Sequence, residues 1–147
     1  MKGYDREWLS RQIVDKAADA IIFADAEGII QLWNSGAEAI FGYREEETLG
    51  KSLDLIVPEK LRQRHWEGYR KVMATGKTKY GKETLAIPAI TKGDKRISIE
   101  FTIVLVTNDS GEPLGTAAII RDVTERWLKE KELKKRLADL EQREKKN

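Results

Sequence analysis

One histidine, His65, stands in 147 residues, and there is no cysteine. Those two counts settle much of the available chemistry. Without a thiol there is no disulfide framework, no thiolate metal site and no cysteine nucleophile. A single imidazole excludes His-rich zinc or di-iron sites. It also has no thiol partner and no argued serine partner with which to form a nucleophile–base pair. Asp25, Glu27 and Glu38 fall near turns and helix caps, where carboxylates have structural reasons to be. Hydrolase or transferase chemistry is therefore not expected, and the chain reads as a non-enzyme. What remains is an imidazole that serves either as a single ligand or as a satisfied core residue.

The stretch 57–76 must position that imidazole, and it reads as one amphipathic helix over 58–75. Pro58 suits the first helical turn, and Gly76 can take the left-handed conformation that stops a helix. Leu61, His65, Tyr69, Val72 and Met73 recur on one face. His65 therefore lies on the apolar side, while Arg62, Arg64, Glu67, Arg70 and Lys71 spread over the flanks and the back. Met73 is read as core rather than as a ligand. Trp66 is expected to pack or to sit at a dimer interface.

The length fits one domain with a short appendage. Lys and Arg number 27 against 25 Asp and Glu, a formal net charge of +2. That balance does not suit a general nucleic-acid binder. No stretch is apolar and long enough to span a membrane, and the first residues lack the apolar run of a signal peptide. Cytoplasmic location is the default expectation.

Around the histidine helix the chain alternates short elements. Residues 5–19 show helical spacing of Trp8, Leu9, Ile13, Val14 and Ala17. Residues 20–24 and 29–33 read as a hairpin around a turn ending at Gly28. Asn34 or Ser35 caps a short helix that Gly42 ends, and a second helical turn covers 43–50. After a basic loop, 84–90 is strand-like, with Pro88 forcing it to an edge or a bulge. Residues 96–106 place Ile97, Ile99, Phe101 and Ile103 on one face, and 114–121 forms the fifth strand. From Thr124 the composition turns to Glu, Lys, Arg and Leu. Leu133, Leu137 and Leu140 make a short heptad seam, and 141–147 is expected to fray.

Strands and helices that do not alternate give an α+β fold with one antiparallel sheet. Asp25-Ala-Glu-Gly-Ile-Ile-Gln-Leu-Trp-Asn34, Ala37-Glu-Ala-Ile-Phe-Gly-Tyr43, Leu49-Gly-Lys51, Thr91-Lys-Gly-Asp94 and Arg121-Asp-Val-Thr-Glu125 together resemble a PAS domain of the sensor-box type. The resemblance covers about residues 10–125. It implies a five-stranded antiparallel sheet with helices on one face and a pocket between. An N-terminal cap helix (1–19), the PAS domain (20–124) and a coiled-coil-like signalling helix (125–147) follow. It also implies sensing of a small molecule or light, or dimerisation, with an output domain or a partner kinase or regulator in trans. The apolar stripes of 5–19 and 125–140 point to a homodimer.

Family cofactors can be tested against residues. Cysteine-based flavin photochemistry is excluded. The segment from Val57 to Tyr69 is similar to the proximal helix of the haem-binding PAS domains of oxygen-sensing histidine kinases, which carry an Arg-x-Arg-His-x-x-Tyr pattern. The resemblance puts His65 at the position of the ligand to a b-type haem, with Tyr69 beside it and Lys71 and Lys79 as propionate partners. The distal wall it implies is Leu85, Ile87, Phe101, Ile103 and Ile119. Leu85 stands where those sensors have an arginine that stabilises bound oxygen. A wall without donors favours CO or NO over O2, unless Tyr80 or Trp33 points inward. The alternative is a non-haem interaction module with an empty pocket or an unknown small apolar ligand.

Overall fold

A computed structural model describes residues 3–78 and 86–146 of the chain. Helix α1 (Arg6–Lys16) is followed by strands β1 (Ala20–Asp25) and β2 (Ile30–Trp33). Short helices α2 (Ser35–Phe41) and α3 (Glu45–Thr48) come next, then two 3-10 turns, Leu53–Ile56 and Glu59–Leu61. Helix α4 (Arg62–Thr75), strands β3 (Ile87–Ile90), β4 (Arg96–Thr107) and β5 (Pro113–Asp122), and helix α5 (Thr124–Lys146) complete the order. The five strands form one antiparallel sheet in the order β2-β1-β5-β4-β3. β3 lies at an edge, so Pro88, opposite Ser98, withholds its missing N–H where only one neighbour is present.

Strand period sorts the side chains into two faces. Ala20, Ile22 and Ala24 of β1, Trp33 of β2, Ala89 of β3, Ile97 and Ile99 of β4 and Ile120 of β5 are buried in one core. Phe41 of α2 and Tyr69 of α4 close that core from the helical side. Phe101 pairs with Ile120 and Ile103 with Ala118, which extends the same inner face along β4 and β5.

The caps follow residue chemistry. Asn34 closes the N-terminus of α2 by accepting from Ala37 N at 2.9 Å, and Gly42 ends it at φ +81°. In the β3–β4 turn the left-handed residue is Asp94, at φ +59°, and not its glycine neighbour. Aspartate is one of the few side chains that tolerate this region.

Two boundaries differ from expectation. The histidine helix is not continuous from residue 58: Pro58 precedes a 3-10 turn, and regular α-helix starts at Arg62. The proline ring fixes an extended entry, ψ 140°, which the tighter turn then converts. The last helix runs to Lys146 rather than fraying from residue 141. Its Glu125–Lys129, Arg126–Glu130 and Glu132–Arg136 pairs are spaced i,i+4, the spacing that supports a solvated helix. Leu128, Leu133, Leu137 and Leu140 on that helix are all more than half exposed.

Candidate functional site

His65 sits in the first turn of α4, half-buried, and its ring forms a triangle with those of Trp66 and Tyr69, which also touch each other. Its centroid distances to the two are 4.7 Å and 5.9 Å. Its Nδ1 is buried and has no hydrogen-bond partner among the described residues. Burial pushes the imidazole pKa below its ordinary value, and the Asp54 carboxylate pulls weakly the other way. The ring is therefore neutral at physiological pH, the state in which a ring nitrogen carries a free lone pair.

Tyr69 lies one turn further on and is buried. Its hydroxyl donates to the carbonyls of Ala24, at 3.1 Å, and Asp25, anchoring α4 to the end of β1. Burial raises its pKa, against hydrogen bonding with Thr116 that lowers it. Tyr69 stands four residues after His65, where the haem-sensor pattern has the tyrosine three after. It acts here as a structural anchor. Met73 packs on the core, as expected.

The remaining expected site residues divide. Ile87 and Phe101 pack against the core, and Ile103 lies on the same face of β4. Ile119 does not join them. It pairs with Thr102 on the outer face and is 38% exposed, so the inward residue of β5 at that level is Ile120. Trp33 does point inward, but its indole N–H is already donated to Tyr43 O at 3.0 Å. It offers no donor to a bound molecule. Lys71 is solvent-exposed on α4. Lys79, Tyr80 and Leu85 fall outside the described residues.

Sequence reasoning expected Trp66 to pack but missed the two residues it packs against, Asp54 and Gly28. Trp66 donates its indole N–H to Asp54 Oδ1 at 2.7 Å, and a Cβ at Gly28 would overlap its ring. Asp54 belongs to the first 3-10 turn and also ion-pairs weakly with Arg62, at 4.0 Å. Only the tertiary fold brings these residues together.

Among the described residues, no three His, Cys, Asp or Glu side chains gather to hold a bare metal ion. Porphyrin-held iron asks less of the protein, a single axial nitrogen and an apolar enclosure. The imidazole, without a partner among the described residues, meets the first of these demands, and Ile87, Phe101 and Ile103 give the inner face of the sheet an apolar character. An open cleft of about 420 Å³ at the start of α5 is a different feature. Two of its cations, Arg121 and Arg126, are already paired with Asp19 and Glu100.

The exit from the sheet is held by its own hydrogen bonds. Val123 N donates to Ser98 O at 2.9 Å, and the Thr124 hydroxyl accepts from Ser98 N at 2.9 Å while donating to Asp122. α5 thus starts from a fixed point on β4. No helix among the described residues is long and apolar enough to cross a membrane.

Comparison with known proteins agrees with this architecture. The chain is 33% identical over 123 residues to the sensor protein FixL of Bradyrhizobium diazoefficiens, covering 82% of this chain and 23% of that protein. It is 25% identical over 122 residues to the oxygen sensor protein DosP of Escherichia coli, covering 75% and 15%. The chain thus spans less than a quarter of either relative. The solved PAS domain of a Colwellia psychrerythraea protein superposes with a TM-score of 0.72 at 24% identity, covering 82% of this chain and 99% of that one. A family model described as the PAS fold matches residues 14–127, and the chain belongs to the PAS family of signal-sensing domains.

Proposed function

We propose that this domain binds a b-type haem through His65, senses a diatomic gas, and passes the signal through α5 to an output domain or partner regulator. The observation that carries the reading is the buried His65 Nδ1 without a hydrogen-bond partner among the described residues. A buried polar atom left unpaired costs about 1–3 kcal/mol, so its presence needs a compensating role. Support comes from the Arg62-Gln-Arg-His65 context and from the likeness to a relative named as an oxygen sensor.

When bound, the haem would supply an iron with one open coordination position for the gas. His65 would hold the iron from the α4 side, and its low pKa keeps the lone pair free at neutral pH. Ile87, Phe101 and Ile103 would give the sheet side of the pocket an apolar lining. None of these three donates a hydrogen bond, and the Trp33 N–H is committed to Tyr43. A site without donors would suit a gas whose binding depends little on a hydrogen bond, such as CO or NO, better than O2. CO or NO is therefore the favoured class of signal.

A ligand switches the domain only by binding one of two states more tightly. α4 is tied to β1 through Tyr69, and β4 is tied to the first residues of α5 through Ser98. A shift of either layer therefore reaches the terminal helix. The exposed leucine stripe of α5 suits pairing with a second copy or with a partner helix. The domain acts as a sensor and not as a catalyst.

Visible absorption with and without added haemin tests the reading, with His65→Ala in parallel. A Soret band in the wild type that the variant loses or binds at least about tenfold more weakly is expected. No band in the wild type, or an unchanged band and affinity in His65→Ala, assigns the domain instead to a haem-free interaction module. Sedimentation with and without residues 125–147 tests the dimer, and an unchanged monomer in both refutes it.

A further inference from the structure

We propose that Trp66 and Asp54 form a positioning pair that fixes the ring of His65. Trp66 follows His65 on α4, so the two side chains leave the helix about 100° apart. Such neighbours ordinarily diverge. Here the indole meets the imidazole edge to face, with centroids 4.7 Å apart and planes at 74°. Two contacts keep it there. One flank lies so close to Gly28 that any Cβ at that position would overlap the indole. The indole N–H is held by Asp54 Oδ1 at 2.7 Å.

Asp54 is itself braced. Its backbone N–H donates to Ser52 Oγ at 3.1 Å, its carbonyl accepts from Arg62 at 3.3 Å, and its carboxylate faces the Arg62 guanidinium. The 3-10 turn carrying Asp54 and the β1–β2 turn carrying Gly28 thus grip one indole from two sides. The indole also meets the Tyr69 ring, at 5.5 Å, so the two form one aromatic surface against the imidazole, Tyr69 with its ring tilted 40° to it. Among the described residues no hydrogen bond at Nδ1 sets the rotation of the imidazole. Ring contacts must do it. The indole is thus a wall for His65, and Asp54 is what keeps the wall in place.

The consequence for haem rests on the function proposed above, but the positioning itself can be read without haem. His65 is the only imidazole in the chain, so 15N-histidine labelling gives one unambiguous pair of ring signals in the haem-free protein. Nitrogen shifts report tautomer and protonation and are little affected by ring currents. Trp66→Phe keeps an aromatic ring but removes the N–H. Asp54→Ala keeps the indole but removes its hold. Asp54→Asn removes the charge and retains an acceptor oxygen.

Trp66→Phe and Asp54→Ala are expected to shift or broaden the ring nitrogens, Asp54→Asn to resemble the wild type, and the double variant to go no further than either single one. Unchanged ring signals in both single variants, or additive changes in the double one, overturn the proposal. In protein reconstituted with haemin, both single variants are expected to release haem about ten times faster, with Asp54→Asn near the wild type. Release at the wild-type rate overturns the claim that the pair acts on the ligand. A wild type that shows the expected nitrogen pattern but takes up no haemin leaves the positioning pair standing and refutes the haem reading alone.

Discussion

Asn34 and His65 are polar side chains that the fold takes inside, and it treats them in opposite ways. Asn34 is 3% exposed and saturated. Its carbonyl oxygen accepts from Ile21 N at 2.8 Å and Ala37 N at 2.9 Å. Its amide donates to Val14 O at 2.7 Å and Asp19 O at 3.1 Å, with Ala17 O at 3.4 Å. One side chain thereby joins α1, the start of β1 and the N-terminus of α2. His65 is held by ring contacts and leaves a nitrogen unused. A group that spends every hydrogen bond on its own fold has a structural role. A buried group that spends none at one nitrogen is kept for something else. The same logic separates Trp33, whose N–H goes to a carbonyl within the fold, from Trp66, whose N–H serves the histidine's surroundings.

The largest effect is expected at the saturated residue. Asn34→Ala orphans two backbone N–H groups and up to three carbonyls at once. A loss of about 2–4 kcal/mol in chemical denaturation follows from those costs. Asn34→Asp sharpens the point, since it keeps the acceptor for Ile21 and Ala37 but turns a carboxylate on the carbonyls of Val14 and Asp19. Amide exchange should then show α1 released while α2 stays protected. A loss below about 1 kcal/mol in Asn34→Ala would erase the contrast with His65.

His65 should behave in the reverse manner. In the haem-free protein, His65→Phe replaces a desolvated, unpartnered ring by an apolar one. Stability should rise, by the roughly 1–3 kcal/mol that the unpaired nitrogen costs less whatever the slightly larger ring loses in packing. The sign of the pH dependence follows from the lowered pKa. The unfolded chain binds the proton more readily than the folded one. Stability contributed by the neutral ring is complete above the unfolded value of about 6.5, and it is lost as the pH falls from there through the lower folded value. Denaturation midpoints between pH 7.5 and 5 should therefore fall more in the wild type than in His65→Phe. Parallel curves would mean that the ring is solvated rather than buried.

Much of this was legible in the residues, for identifiable reasons. The α+β order, the edge position of Pro88 and the caps at Asn34, Gly42 and Gly76 are local, and local chemistry decides them. The inward face of α4 was legible because the period of a helix is strict. Asp54 and Gly28 were not, because nothing in their own segments says which indole they will meet. The 3-10 turn before Arg62 was hidden for a similar reason: Pro58 suits either an N1 position or the cap of a tighter turn, and neighbouring contacts choose between them. Ile119 fell on the wrong face because Ala117-Ala118-Ile119-Ile120 has no alternation to read. A register error of one residue turns every side chain to the opposite side.

Ile119 therefore supplies the smallest expected effect and a direct check on the sheet's two sides. It pairs with Thr102 and Ile21, both outer-face partners, while Ile120 pairs with Phe101 and Ala20 on the core side. An isoleucine already 38% exposed gives up little apolar burial when it is shortened. Ile119→Ser should alter stability by no more than about 0.5 kcal/mol, the range of surface substitutions away from special features. It should leave the position and intensity of any Soret band unchanged, because the side chain lies on the outer face of the sheet, away from the core. Ile120→Ser is the control one residue on. It places a hydroxyl in the core at 3% exposure and should be clearly worse by both readouts. Equal sensitivity at the two positions would mean that β5 is paired one residue out of register, and the inner face of the sheet would have to be redrawn.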